Sequence, residues 1–331
     1  MKTKRPGLFG IAGLVLAGAV SAALLGAGEA PKKTYRIGVI AKSQSNPVFQ
    51  AARTGAVDAG EELSKKYDAD IKVEWRTPVN EDAQQQAQYV EQLASQGFDA
   101  IAISASDANV LTSAVNSAID RGVVVMTFDS DIPNSKRMAY YGINDEEAGR
   151  SVMRELAKAM GNKGGKIAIL SGNQNATNLN ARIKGVKDEL ATLKDKGFTL
   201  KEVYYTKETA SDAAAMLQQV QTANPDITGW AMVGGWPLFT QNALDGVYDK
   251  AKIVSVDHLP EELNYVKNGQ VAALIGQDCY GWGYQSVVML VDKLHNNKSP
   301  EKVINNFKLA VVTKDNVAEY EGLWNKWLKK K

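Results

Sequence analysis

One unit recurs along this chain and restricts its fold more than any other feature. It is a short apolar run, a polar loop, and then apolar residues at helical spacing. Its first copy opens at Arg36. Ile37-Gly38-Val39-Ile40-Ala41 is too short for a buried helix and has the β-branched content of a buried strand. Polar residues Lys42 to Asn46 follow, then Pro47, then Phe49, Ala52, Ala56, Ala59 and Leu63 on one helical face. The copy therefore reads as strand, loop and helix, with proline at the helix start.

Further copies follow in order. Ala83, Ala87, Val90 and Leu93 mark a helix over 81–96, with Asn80 as the expected N-cap. Ala100–Ile103 and Val123–Phe128 read as strands ending at Ser104 and Asp129, with a helix over Val110–Ile119 between them. A second series starts at Asp145. Its strands are expected at Lys166–Leu170, Leu200–Tyr205, Thr228–Val233, Lys252–Val256 and Val271–Ile275, with one more near Phe307–Val312. Helices are expected over 145–156, 183–193, 211–223, 283–294 and 317–328. Strands alternating with helices predict an α/β fold with parallel sheets covered on both faces. Roughly ten strands or more are many for one compact sheet. Two doubly wound halves meeting near residue 143 account for them more simply.

The first thirty residues stand apart. Lys2, Lys4 and Arg5 precede an apolar run from Leu8 to about Leu25, and small residues follow. This is the layout of a secretory signal peptide over 1–30. An uncleaved membrane anchor is the alternative, since the run approaches the ~20 residues of a span. Without that segment the chain loses three bases and one acid from a net charge of +2 and becomes neutral. A nucleic-acid partner, which asks for a basic excess, is not expected. One cysteine, Cys279, allows no internal disulfide, and with two histidines it makes a zinc site improbable.

In open α/β sheets, ligands bind beyond the carboxyl ends of the strands. Those ends carry Lys42 to Asn46, Ser104, Asp129 with Ser130, Gly234 to Trp236, Asp257 and Gln277, with Phe49 and Trp282 as aromatic neighbours. Carboxylates, amides and hydroxyls exchange hydrogen bonds with sugar hydroxyls, and aromatic rings pack on the apolar faces of a pyranose. The inventory suits a neutral polyol better than a phosphate.

Over residues 35–313 the chain resembles the type I periplasmic sugar-binding proteins of the ribose-binding group. The resemblance rests on Asn46-Pro47-Val48-Phe49, on Met126-Thr127-Phe128-Asp129 and on Arg182-Ile183-Lys184-Gly185-Val186. Ser255-Val256-Asp257 and Ala273-Leu274-Ile275-Gly276-Gln277 complete it. It implies two Rossmann-like lobes joined by a three-strand hinge. An N-terminal lobe of 35–142 plus 279–308 would face a C-terminal lobe of 143–278 plus 309–331. Sugar contacts are implied from Asn46, Phe49, Asp129, Arg182, Asp257 and Gln277. The expected ligand set adds Lys42, Ser104, Ser130, Gly234 and Trp236. Two positions depart from the group: Gly234-Gly235-Trp236 stands where it has Asn-Asp, and Ser130 where it has Arg.

The implied function is an extracytoplasmic or periplasmic receptor that delivers a sugar, a monosaccharide by expectation, to an ABC permease. It would act as a monomer, without cofactor or metal and without catalysis. A sensing partner, a chemoreceptor or histidine kinase, is the alternative to the permease. A repressor of the same fold would need an N-terminal helix-turn-helix, where residues 1–30 are apolar. Gly161–Lys166, GNKGGK, precedes a strand and reads as a turn and not a phosphate loop. No GxGxxG follows a strand, and no GxSxG is present. His258 reads either as a cleft residue or as a plain loop histidine. Trp324 and Trp327 read as packing residues of the last helix.

Overall fold

The structure is a computed structural model that describes residues 32–328. The expected signal segment lies outside them. Among the described residues no helix is long and apolar enough to cross a membrane.

Two six-stranded sheets carry the fold. The first is built from β1 (Thr34–Ile40), β2 (Asp70–Trp75), β3 (Ala100–Ile103), β4 (Val124–Phe128), β5 (Tyr140–Gly142) and β11 (Ile304–Asn306). Its order is β11-β5-β4-β3-β1-β2, and every pairing is parallel. The second holds β6 (Gly165–Ser171), β7 (Phe198–Tyr205), β8 (Ile227–Met232), β9 (Lys252–Val256), β10 (Ala273–Gly276) and β12 (Ala310–Val312). Its order, β12-β10-β9-β8-β6-β7, repeats that of the first sheet, with β12 antiparallel to β10.

Helices cover both faces, which is why the inner strands are mostly apolar and buried. All four residues of β3 and of β10 are buried. Helix α1 (Val48–Tyr67) buries Val48, Phe49, Ala52, Ala56, Ala59 and Leu63 and stops at Asp68, whose backbone is left-handed at φ 47°. Helix α2 (Ala83–Ser95) is capped by Asp82, whose carboxylate accepts from the Gln85 amide. That corrects the expected cap at Asn80, which lies too far upstream of the first helical turn. Helices α3 (Ala108–Asp120), α4 (Asp145–Ala159), α5 (Thr177–Ala191) and α6 (Ala210–Ala223) follow. The series closes with α7 (Pro260–Lys267), α8 (Cys279–Asn296) and α9 (Val317–Trp327).

The single strand expected near Phe307–Val312 is two short strands, β11 and β12, one in each sheet. Residues 307–309 carry the chain across, so no continuous apolar pattern marks either strand. Two other crossings connect β5 to α4 and β10 to α8. Strands β2 and β5 escape a reading of periodicity. β2 is a sheet edge with one buried residue, Ile71, and β5 is three residues long.

Helix pairs lock each half by close approach of backbones. In α1 and α8, a Cβ on Gly55 would lie 2.1 Å from the Tyr280 carbonyl oxygen, and one on Gly283 1.8 Å from that of Ala52. In α4 and α5, Gly149 faces the Arg182 carbonyl at 1.9 Å and Gly185 that of Glu146 at 1.9 Å. The two halves use the same device at corresponding helices.

A candidate sugar cleft between two sheets

The carboxyl ends of the two sheets bring together eight of the expected residues. Lys42, Asn46, Phe49, Asp129, Arg182, Trp236, Asp257 and Gln277 line one inner pocket. Asn178, Glu208 and Trp282 line it too. Ser104, Ser130 and Gly234 stand behind it. Ser104 Oγ donates to Asp129 Oδ2 at 2.7 Å. Ser130 is fully buried, with its hydroxyl 3.4 Å from Thr177 Oγ1. Gly234 leaves room for the indole of Trp236, since a Cβ there would lie 2.4 Å from its Cζ2.

Asp129 follows β4 and Asp257 follows β9, the same position in each sheet. Both have left-handed backbones, with φ 54° and 82°. Aspartate tolerates that region better than most residues, and a non-glycine residue held there is uncommon. The turn aims each carboxylate back over the strand end. Asp129 accepts from Ser104 and, at 3.3 Å, from the Asn178 amide of the opposite half. Asp257 accepts from Gln277 Nε2 and, at 3.3 Å, from the Gly235 amide. Burial pushes both carboxyls above their ordinary range, against the pull of Lys42 and Arg182 on Asp129 and of Arg182 on Asp257.

Arg182 holds the floor of the second half. Its Nε donates to Asp145 at 2.8 Å, Nη1 to the Val233 carbonyl at 3.1 Å and Nη2 to Gln277 Oε1 at 3.0 Å. It lies 4.0 Å from Asp129. Burial opposes its charge, and Asp145 and Asp129 more than restore it. Asp145 is itself pushed up to about 7 by burial.

Lys42 makes a second charged cluster. Its ammonium pairs with Glu81 at 2.8 Å and with Glu208 at 3.2 Å, the latter from the loop after β7. Burial disfavours the ammonium, but the two glutamates outweigh it and hold the proton firmly. Burial pushes Glu81 up to about 7. On the apolar wall, Phe49 and Trp282 approach to 5.9 Å between ring centres.

Sequence reasoning did not single out Asn178, Glu208 or Glu81. Asn178 sits in the Asn-rich stretch of 171–180, where composition was the only available signal. Glu208 follows the edge strand β7, and Glu81 precedes α2, so neither ends a buried run. His258 is not part of the cleft. Its ring packs edge-on against Tyr320, Trp324 and Trp327, and its carbonyl accepts from Trp324 Nε1 at 2.7 Å. Trp324 and Trp327 are thus packing residues. Cys279 is a buried free thiol. Gly161–Lys166 forms the turn into β6, with positive φ at Gly161, Asn162, Gly164 and Gly165. No cluster of three or more acidic, histidine or cysteine side chains able to hold a metal occurs among the described residues.

The space left inside the pocket is about 20 Å³. That is near the room one water molecule needs. The halves are closed on one another, and polar groups span the gap at Asp129–Asn178, Lys42–Glu208 and Thr177–Asp131. A ligand of sugar size can enter only if they part.

The comparisons with known proteins agree with this fold. The periplasmic binding protein domain family matches residues 37–298. The chain is 27% identical over 261 residues to a D-ribose/D-allose-binding protein of Pseudomonas aeruginosa, covering 75% of this chain and 78% of that one. It is 24% identical over 281 residues to the ribose import binding protein RbsB of Bacillus subtilis, covering 84% and 88%. A solute-binding protein of an ABC transporter from Burkholderia graminis, solved in complex with D-arabinose, superposes with a TM-score of 0.80. The identity is 28%, and 88% of this chain and 99% of that one are covered.

Proposed function

The chain belongs to the periplasmic binding protein family, as a type I sugar-binding member, and from that premise we propose that it captures a monosaccharide between its lobes and delivers it to an ABC permease. The observation that carries this reading is the pocket itself. Two strand-ending aspartates, Asp129 and Asp257, one from each sheet, face a shared space with Arg182, Gln277, Trp236 and Phe49. Carboxylates accept from sugar hydroxyls, amide and guanidinium groups donate to them, and the indoles of Trp236 and Trp282 offer flat apolar faces. Lobe closure around the ligand would present the form that a permease recognises.

The charge of the cleft narrows the ligand. Lys42 is held by Glu81 and Glu208, and Arg182 by Asp145. Both cations are therefore occupied, while Asp129 and Asp257 add negative charge. Among the described residues that line the pocket, an anionic sugar would meet no free cation and two carboxylates, so neutral polyols are the expected ligands. The export segment over 1–30 would place the receptor outside the cytoplasm.

Binding to the folded state raises the melting temperature, so a thermal-shift screen with D-ribose, D-allose and D-arabinose followed by calorimetry tests the reading. At least one neutral monosaccharide should bind, and a uronic acid should not. Melting curves and titrations unchanged by every neutral sugar would remove it.

A further inference from the structure

Among the described residues, an inner and an outer space border the facing loops of the lobes. The inner one, about 20 Å³, is the pocket of Asp129, Asp257 and Trp236. The outer one is a groove of about 760 Å³, bordered by Ser45, Asn80, Gly172, Gln174, Tyr205 and Asp212. Glu208 borders both; Lys42 borders the inner space and Glu81 the outer one. The ion-paired cluster therefore stands where the two spaces meet.

Its members come from both lobes. Lys42 follows β1 and Glu81 precedes α2, while Asn173 follows β6 and Glu208 follows β7. Beyond the two ion pairs, the Asn173 backbone amide donates to Glu208 Oε1 at 3.1 Å. The Asn173 side chain donates to Glu81 Oε2 at 3.4 Å and to the Ser106 carbonyl at 3.3 Å. The side chains of Lys42 and Glu208 are 3% and 6% exposed. Gly172 makes room for this arrangement, since a Cβ there would lie 2.5 Å from Glu208 Cγ. Removing one partner from a buried ion pair leaves the other charge uncompensated, which is strongly unfavourable. A ligand substituent that pushed between Lys42 and Glu208 would do the same.

We propose that the Lys42–Glu81–Glu208 cluster, tied by Asn173, is the size filter of the cleft. It admits a single sugar ring and excludes a glycoside whose second group would project into the outer groove. The proposal rests on the sugar-binding reading above and adds to it the residues that set the size limit of the ligand. Glu208 is the residue whose shortening joins the two spaces.

The test compares free sugars with their p-nitrophenyl glycosides, in both anomers, by calorimetry. The probes are D-ribose, D-xylose, L-arabinose, D-glucose and D-galactose. The wild type should bind at least one free sugar and should bind its glycosides about 100-fold more weakly or worse. Glu208→Ala should narrow that gap at least about tenfold for one anomer, through a gain in glycoside affinity. A wild type that binds glycosides as tightly as free sugars overturns the filter. So does a folded Glu208→Ala protein with an unchanged gap. If that variant melts below the assay temperature, Asn173→Ala takes its place and should narrow the gap in the same direction. An unchanged gap there also overturns the filter. A free sugar that binds while the gap stays fixed removes the size filter alone. Failure of every free sugar to bind the wild type removes the sugar-binding reading and the filter with it.

Discussion

Asp129 and Asp257 are the residues on which the proposed cleft depends most. Each ends a strand, has a left-handed backbone and is buried with neutral donors. A hydrogen bond to a charged group contributes about 1.5–3 kcal/mol, or roughly one to two decades in dissociation constant. Asp129→Ala and Asp257→Ala should each weaken sugar binding at least about tenfold by calorimetry. Wild-type affinity in both variants would mean that the sugar sits elsewhere. Trp236→Ala separates two uses of the same side chain. The indole is 3% exposed, so its loss should lower the melting temperature by leaving a cavity. Loss of affinity beyond that would mark stacking on the sugar ring. A variant that melts early but binds normally would leave the indole a packing role only.

At the scale of elements, the two halves depend on glycines where helices touch. Gly283 of α8 meets α1, and Gly185 of α5 meets α4; in each case the atom nearest a new Cβ is a backbone carbonyl oxygen. No rotamer change relieves such a clash, so the helices would have to separate. Gly283→Ala and Gly185→Ala should each cost about 1–3 kcal/mol or more. At this chain length that corresponds to a drop of several degrees in melting temperature, roughly 2–4 °C per kcal/mol. Gly322→Ala on α9, where a Cβ would meet nothing within 4 Å, is the matched control. Equal melting temperatures for all three variants would show that the helix pairs are looser than their geometry.

For the whole molecule, closure is the property to measure. An inner space of about 20 Å³ requires the lobes to part before a sugar enters. The ligand-free protein should therefore open in solution, and scattering at saturating sugar should give a smaller radius of gyration than the ligand-free sample. An unchanged radius would argue for lobes that do not move. The cross-lobe cluster also makes stability depend on pH. Burial raises the Glu81 carboxyl to about 7, above its unfolded value near 4.5. A group raised in this way contributes stability below the unfolded value and loses it as pH rises through the folded one. Glu81→Gln removes that loss. The melting temperature of the variant, measured relative to wild type, should thus be higher at pH 8 than at pH 5. A difference independent of pH would show that Glu81 is ionised throughout.

Much of this was legible in the sequence because it is local. A buried strand needs an apolar run, and a helix needs a 3.6-residue period, so β1, β3, β4 and β9 and most helices could be read directly. The polar residue ending each central strand could be read for the same reason, and eight of the expected ligand residues do share a pocket. The tertiary structure decided what local pattern does not encode. β5, β11 and β12 are three residues each and owe their existence to pairing with neighbouring strands of their sheets. Glu208 and Glu81 are distant in sequence from Lys42 and lie in loops with no apolar run to mark them. Glu81 meets it because β2 pairs with β1 in one sheet, and Glu208 meets it because the lobes close face to face. His258 sits beside Asp257 in sequence yet turns away from the cleft into the aromatic side chains of α9. The sequence determined which loops carry polar side chains, and the packing of two sheets determined which of those side chains face one another.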